Sequence, residues 1–178
     1  MELLQLLSIA NALFIFWLFA QGAIHKLNPA NDLYFSSLIA EFGWGDIKLA
    51  SLIAKFVGLV ELVVAFAIIY PPTRALAALI AIALLFGYLT HMAYQLYQGR
   101  RDLDCGCAGP GAKVKISGQL LVRNTVLIAV TFFCITAAEN AASGLWLLGT
   151  LLAVIGIIIY LSSEQLIGNA QKLKALRT

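Results

Sequence analysis

Two cysteines separated by one residue, Cys105-Gly106-Cys107, stand in a short polar stretch between long apolar segments, flanked by Arg100, Arg101, Lys113 and Lys115. The thiolate is the reactive form of cysteine, and neighbouring cations favour it over the thiol. Gly106 gives the backbone freedom to close a ring between cysteines this near to each other, and a small strained ring is easy to reduce. An activated thiol attacks a partner's disulfide and its neighbour resolves the mixed intermediate, so these residues are the ones a dithiol relay requires. The same pair could instead supply two zinc ligands, with His91 or Asp104 joining them, although the chain has no second cysteine pair. A third reading is a tight Gly/Pro loop whose cysteines carry no chemistry. Cys134 lies within an apolar segment and reads as a buried small hydrophobe.

A second group of candidates consists of ionisable residues in or beside apolar segments. Glu61 lies roughly 18 Å along its segment, too far in to reach an interface, so it is protonated, paired or facing a wet cavity. Lys55 is six positions away and off its helical face, which leaves His25, Lys26 or His91 of neighbouring helices as partners. His25 and Lys26 close the first apolar segment and read as interfacial anchors or as parts of the site. Arg123, at the start of the fourth, is an anchor to lipid phosphate or a counter-charge for a thiolate or for Glu61.

These residues need a scaffold, and composition names it. With 61% hydrophobic and 12% charged residues in 178, a water-soluble fold would expose more apolar surface than such folds tolerate. The expected architecture is an all-α integral membrane bundle of five transmembrane helices, 3–24, 49–70, 75–97, 119–138 and 145–161, in a single domain over 1–178. Its first four helices form the core. Residues 30–42 carry apolar and polar side chains at near-helical spacing and read as a short amphipathic surface helix, and the cysteine loop occupies 98–118. Met1-Glu2 offers no basic charge, and the aromatic residues Phe14, Phe16, Trp17 and Phe19 suit a retained helix better than a cleaved leader.

Five spans put the cysteine loop on the same side as residues 25–48 and the C-terminal tail. All of the twelve Lys and Arg except Arg74 then gather on that side. The positive-inside rule makes it cytoplasmic, with the N-terminus external. A thiol pair there would be kept reduced unless chemistry re-oxidises it. The basic residues are accounted for by topology, so nucleic-acid binding is not expected, and no phosphate-cradling glycine loop or Ser/His/Asp constellation is present.

Ala20-Gln21-Gly22-Ala23-Ile24-His25-Lys26-Leu27, Val60-Glu61-Leu62, Cys105-Gly106-Cys107-Ala108-Gly109 and Arg123-Asn124 together resemble the MauE branch of the MauE/DoxX membrane proteins, over roughly residues 10–135. The resemblance implies a helical bundle of the bacterial inner membrane associated with redox processes. It implies a thioredoxin-like partner and a part in maturing the disulfide-rich small subunit of methylamine dehydrogenase; DoxX-type relatives are linked to thiol and sulfur redox metabolism.

The expected function is therefore that of a membrane accessory of thiol-disulfide chemistry, acting in disulfide formation or maturation of a partner protein. Cys105 and Cys107 are the dithiol, with Arg100, Arg101, Lys113, Arg123, His25, Lys26 and Glu61 around it as tuning or intramembrane groups. Electrons from such a relay could pass to a quinone, which no residue pattern here specifies; no metal is assigned. The competing reading is a non-catalytic assembly subunit of a larger membrane complex, packed through its fifth span. A small-solute transporter working through Glu61 is a third.

Overall fold

The computed structural model describes residues 2–41, 46–100, 103–106, 114–135 and 143–176. Among these residues six α-helices follow in order: α1 (Glu2–Leu27), α2 (Asp32–Glu41), α3 (Ile47–Ile69), α4 (Pro71–Tyr97), α5 (Gly118–Phe132) and α6 (Ser143–Ala175). Four of them, α1, α3, α4 and α6, are long and apolar enough to cross a membrane, while α5 is apolar but shorter. Its 15 residues rise roughly 22 Å, less than the ~30 Å of a hydrocarbon core. The chain is an all-α membrane protein, and α2 is the short helix expected beside the cysteine loop.

Local sequence sets the breaks. Asn28 accepts from the Ala30 amide at 3.0 Å and caps a single 3-10 turn at Pro29–Asn31, and Asn31 Nδ2 donates to the free carbonyl of His25 at 3.0 Å. Asp46 caps α3 by accepting from the Lys48 amide at 3.0 Å. At the other end of α3, Tyr70 turns to extended backbone ahead of Pro71-Pro72, which start α4 because proline lacks the N–H that a continuing helix would need. Arg74 is buried rather than standing at an interface. Its Nε and Nη2 donate to the carbonyls of Ile68 and Ile69 at 3.1 and 3.2 Å, satisfying acceptors that a helix end leaves open.

Packing centres on α1, which lies along both α3 and α6. The core cluster takes Ile15 and Phe19 from α1, Ile68 from α3, Ala78 and Leu85 from α4, Leu127 from α5 and Tyr160 from α6. The last helix is thus part of the bundle, not a peripheral span, and it continues well past residue 161. Trp17 and Tyr160 pack edge to face at 5.8 Å between α1 and α6. Close approach of α1 and α3 depends on Gly58, where an added Cβ would lie 3.0 Å from Lys26 Cβ. The outward faces are apolar: Leu147, Leu151, Ile155 and Ile158 of α6 and Phe56, Val63 and Phe66 of α3 are exposed, as lipid-facing positions should be.

The short helix α2 is held on α3 by polar contacts. Ser51 Oγ donates to Asp32 Oδ1 at 2.7 Å, and Lys55 Nζ pairs with Asp32 Oδ2 at 3.3 Å. The Ser51 hydrogen bond, opposed by desolvation and aided by Lys55, lowers the pKa of the Asp32 carboxyl. Its contribution is present above the ordinary aspartate pKa and fades as pH falls through the lowered value.

Candidate functional site

The residues leading into and out of the cysteine loop meet as a two-stranded base. Asp104 bridges Lys115 in antiparallel fashion, Cys105 N donates to Val114 O at 2.9 Å, and Ile116 N donates to Leu103 O at 3.0 Å. The side-chain amide of Gln171, near the end of α6, extends this pairing like a third strand. It accepts from Lys115 N at 3.0 Å and donates to Lys115 O at 2.8 Å. Gln171→Ala removes both bonds and should cost roughly 1–2 kcal/mol locally, read as faster hydrogen exchange of the Lys115 amide. These contacts, with Arg100 Nη1 donating to Glu41 O at 3.2 Å, gather α2, the loop base and the end of α6 at one end of the bundle.

Cys105 is disulfide-bonded, whereas Cys134 is a buried free thiol. Cys107, Arg101 and Lys113 lie outside the described residues. Cys105 Sγ sits 3.6 Å from Met92 Sδ of α4. Gly106 has φ +69, and a Cβ there would meet Leu38 Cδ2 at 2.5 Å. Gly106→Ala therefore combines an unfavourable backbone conformation, roughly 1–2 kcal/mol, with a clash against α2. Adding Leu38→Ala should relieve the clash and leave the backbone cost, which thermal unfolding of the two variants would separate.

Behind Cys105 a cavity of about 250 Å³ runs between the helices, and Lys26, Glu61, Tyr88, His91, Arg123 and Asn124 contribute to its wall. Lys26 is the partner that Glu61 requires. Its Nζ contacts Oε1 at 3.0 Å and Oε2 at 2.8 Å, and the side chains are 13% and 4% exposed. Tyr88 OH donates to Glu61 Oε1 at 2.5 Å. The ammonium also faces the rings of Phe35 and Tyr88 at 5.8 and 5.5 Å, within cation-π range. Sequence places Lys26 at an interface and Glu61 deep in a span; the two meet because α3 begins well beyond the end of α1, with Gly58 beside Leu27.

Arg123 is likewise inside the bundle rather than anchored to lipid. Its Nη1 is 3.2 Å from Glu164 Oε1, with side chains 8% and 12% exposed, and its guanidinium lies 5.0 Å from the Tyr160 ring. Arg123 Nε and Asn124 Nδ2 are buried without a hydrogen-bond partner among the described residues. His91 Nε2 lies 3.5 Å from Gln95 Nε2. His25 is half-buried at the end of α1, and the cavity wall does not include it. Among the described residues no three His, Cys, Asp or Glu side chains are grouped to hold a metal ion.

Tyr88, Met92, Asn124, Glu164 and Gln171 are the functional candidates that sequence reasoning did not assign. For the first two a signal existed: Leu85, Tyr88, Met92 and Gln95 recur every three or four residues, so one face of α4 carries polar groups inside an apolar segment. Glu164 and Gln171 sit beyond the expected end of the fifth span, where only continuation of α6 brings them back to α5 and the loop.

The arrangement pairs a disulfide with a partly open cavity whose wall contains a compensated charge pair. Comparison with known proteins yields a family model, methylamine utilisation protein MauE, matching residues 3–137. Methylamine utilization protein MauE of Paracoccus denitrificans is 30% identical over 172 residues, covering 95% of this chain and 91% of the relative. The protein of the same name from Methylophilus methylotrophus is 26% identical over 161 residues, covering 88% and 84%, and that of Paracoccus versutus is 30% identical over 158 residues, covering 87% and 84%. No solved structure matches the chain. The matched span takes in helices α1 to α5, the base of the cysteine loop and both sides of the Lys26–Glu61 pair, and on it the chain belongs to the MauE family.

Proposed function

We propose that this protein is a membrane accessory of methylamine utilisation that acts by thiol-disulfide exchange through Cys105-Gly106-Cys107. The observation that carries the reading is the disulfide at Cys105, at the wall of a cavity inside a membrane bundle. The oxidised pair accepts two electrons from two thiols of a client or of a thioredoxin-fold partner: the client's S–S bond forms as the S–S bond here opens to two thiols. Family membership supports the pathway; the chemistry of the pair supports the mechanism.

The bacterial inner membrane, with the loop on the cytoplasmic face, is the localisation that the distribution of Lys and Arg supports. A membrane-impermeant thiol reagent applied to spheroplasts and to inverted vesicles, before and after reduction, tests both points. Labelling of Cys105 and Cys107 in inverted vesicles only, and only after reduction, is the expected result. Labelling from outside would reverse the topology. A pair that is accessible and always reduced would remove the basis of the relay.

The second reading, an assembly subunit of a larger membrane complex, draws on the apolar outer face of α6 at Leu147, Leu151, Ile155 and Ile158. It predicts that the complex survives loss of both cysteines.

A further inference from the structure

We propose that the cavity between Cys105 and the Lys26–Glu61–Tyr88 cluster binds a membrane-soluble quinone, the acceptor that re-forms the disulfide. The inference rests on the thiol-exchange reading and names the oxidant which that reading needs. Three observations converge on it. The cavity lies among the helices of a membrane bundle, and Phe19, Leu85 and Leu127 give it apolar walls, which suit an apolar occupant of the kind that partitions from lipid. At about 250 Å³ it falls just below the ~300–1,000 Å³ of sites for larger ligands, which suits one substituted ring with its tail outside.

The third observation concerns polarity. Asn124, 3% exposed, and Arg123 both contribute to the wall, and Asn124 Nδ2 and Arg123 Nε are buried donors with no acceptor among the described residues. Buried donors are almost always paired, and one left open costs free energy. The complementary ligand brings acceptors without donors on an apolar frame. A quinone ring, flat and carrying two carbonyl oxygens, has this character; an acyl chain lacks the acceptors, and a phospholipid headgroup brings charge and bulk. The reaction balances. Two S–H bonds break, one S–S bond forms, and the two electrons and two protons released convert the quinone to the quinol, one proton on each oxygen.

The test uses the full-length protein in lipid nanodiscs with decylubiquinone as the probe. Equilibrium dialysis of the oxidised protein should show saturable binding. Asn124→Leu should weaken it about fivefold, the effect of losing one hydrogen bond to a ligand. Asn124→Asp, which keeps size but replaces the amide donor by a carboxylate that repels a carbonyl oxygen, should weaken it at least as much, and thermal unfolding checks that both variants are folded. Anaerobic addition of decylubiquinone to the dithiol-reduced protein should yield one quinol per disulfide formed. Absent or non-saturable binding, or binding indifferent to both Asn124 variants, overturns the site. Bound quinone that leaves the thiols reduced, while the pair still exchanges with dithiothreitol, overturns the acceptor role and leaves the thiol-exchange reading standing. A pair that exchanges with no dithiol defeats that reading, and dialysis still decides the cavity.

Discussion

Under the proposed thiol exchange, Cys105→Ser and Cys107→Ser, singly or together, are expected to reduce disulfide formation in the client by roughly three orders of magnitude or more, the scale on which loss of a covalent nucleophile acts. A serine hydroxyl cannot take part in a disulfide, so no variant can complete the exchange. Each single variant keeps one thiol, which can attack the disulfide of the proposed thioredoxin-fold partner in its oxidised form but cannot go further, so a mixed disulfide should accumulate, visible by non-reducing electrophoresis. The variant that accumulates more identifies which cysteine resolves the intermediate. Cys134→Ala should leave activity intact, because that thiol is buried in the core away from the cavity. Full activity in the double variant, with its complex intact, would establish the assembly role and end the relay.

The Lys26–Glu61 pair should give the largest effect on stability. Glu61→Leu or Lys26→Met alone leaves one charge buried without its counter-charge, a loss of about 3–5 kcal/mol. The double variant Lys26→Met with Glu61→Leu should recover most of it, since a buried pair replaced by apolar groups of similar size is often neutral or better. Equilibrium unfolding in mild detergent of the two single variants and the double closes the cycle. Tyr88→Phe removes a single donor to the carboxylate and should cost about 1.5–3 kcal/mol, the range for a hydrogen bond to a charged group. If Glu61→Gln is as stable as the parent but abolishes movement of a small solute across the membrane, the transporter reading takes over.

Membrane class, the position of the cysteine loop and the need of Glu61 for a partner were all legible in the chain. Each depends on local quantities: the length of apolar runs, the spacing of two cysteines, the depth of one carboxylate in a span. What pairs with what was less legible. Lys26 and Arg123 sit where interfacial anchors sit, and nothing in their own segments distinguishes an anchor from an ion-pair partner. Their partners, Glu61 at a separation of 35 residues and Glu164 at 41, lie on other helices.

The sequence by itself determined an all-α membrane protein with a loop that carries two cysteines, because hydropathy acts residue by residue and the bilayer imposes the helix. The tertiary structure decided that Cys105 shares a cavity with Lys26, Glu61, Tyr88 and Asn124. That outcome follows from the offset of α1 against α3 at Gly58 and the continuation of α6 past its apolar stretch to Gln171. Helix register and close approach come from side chains meeting across the bundle, and no periodicity within one helix encodes them.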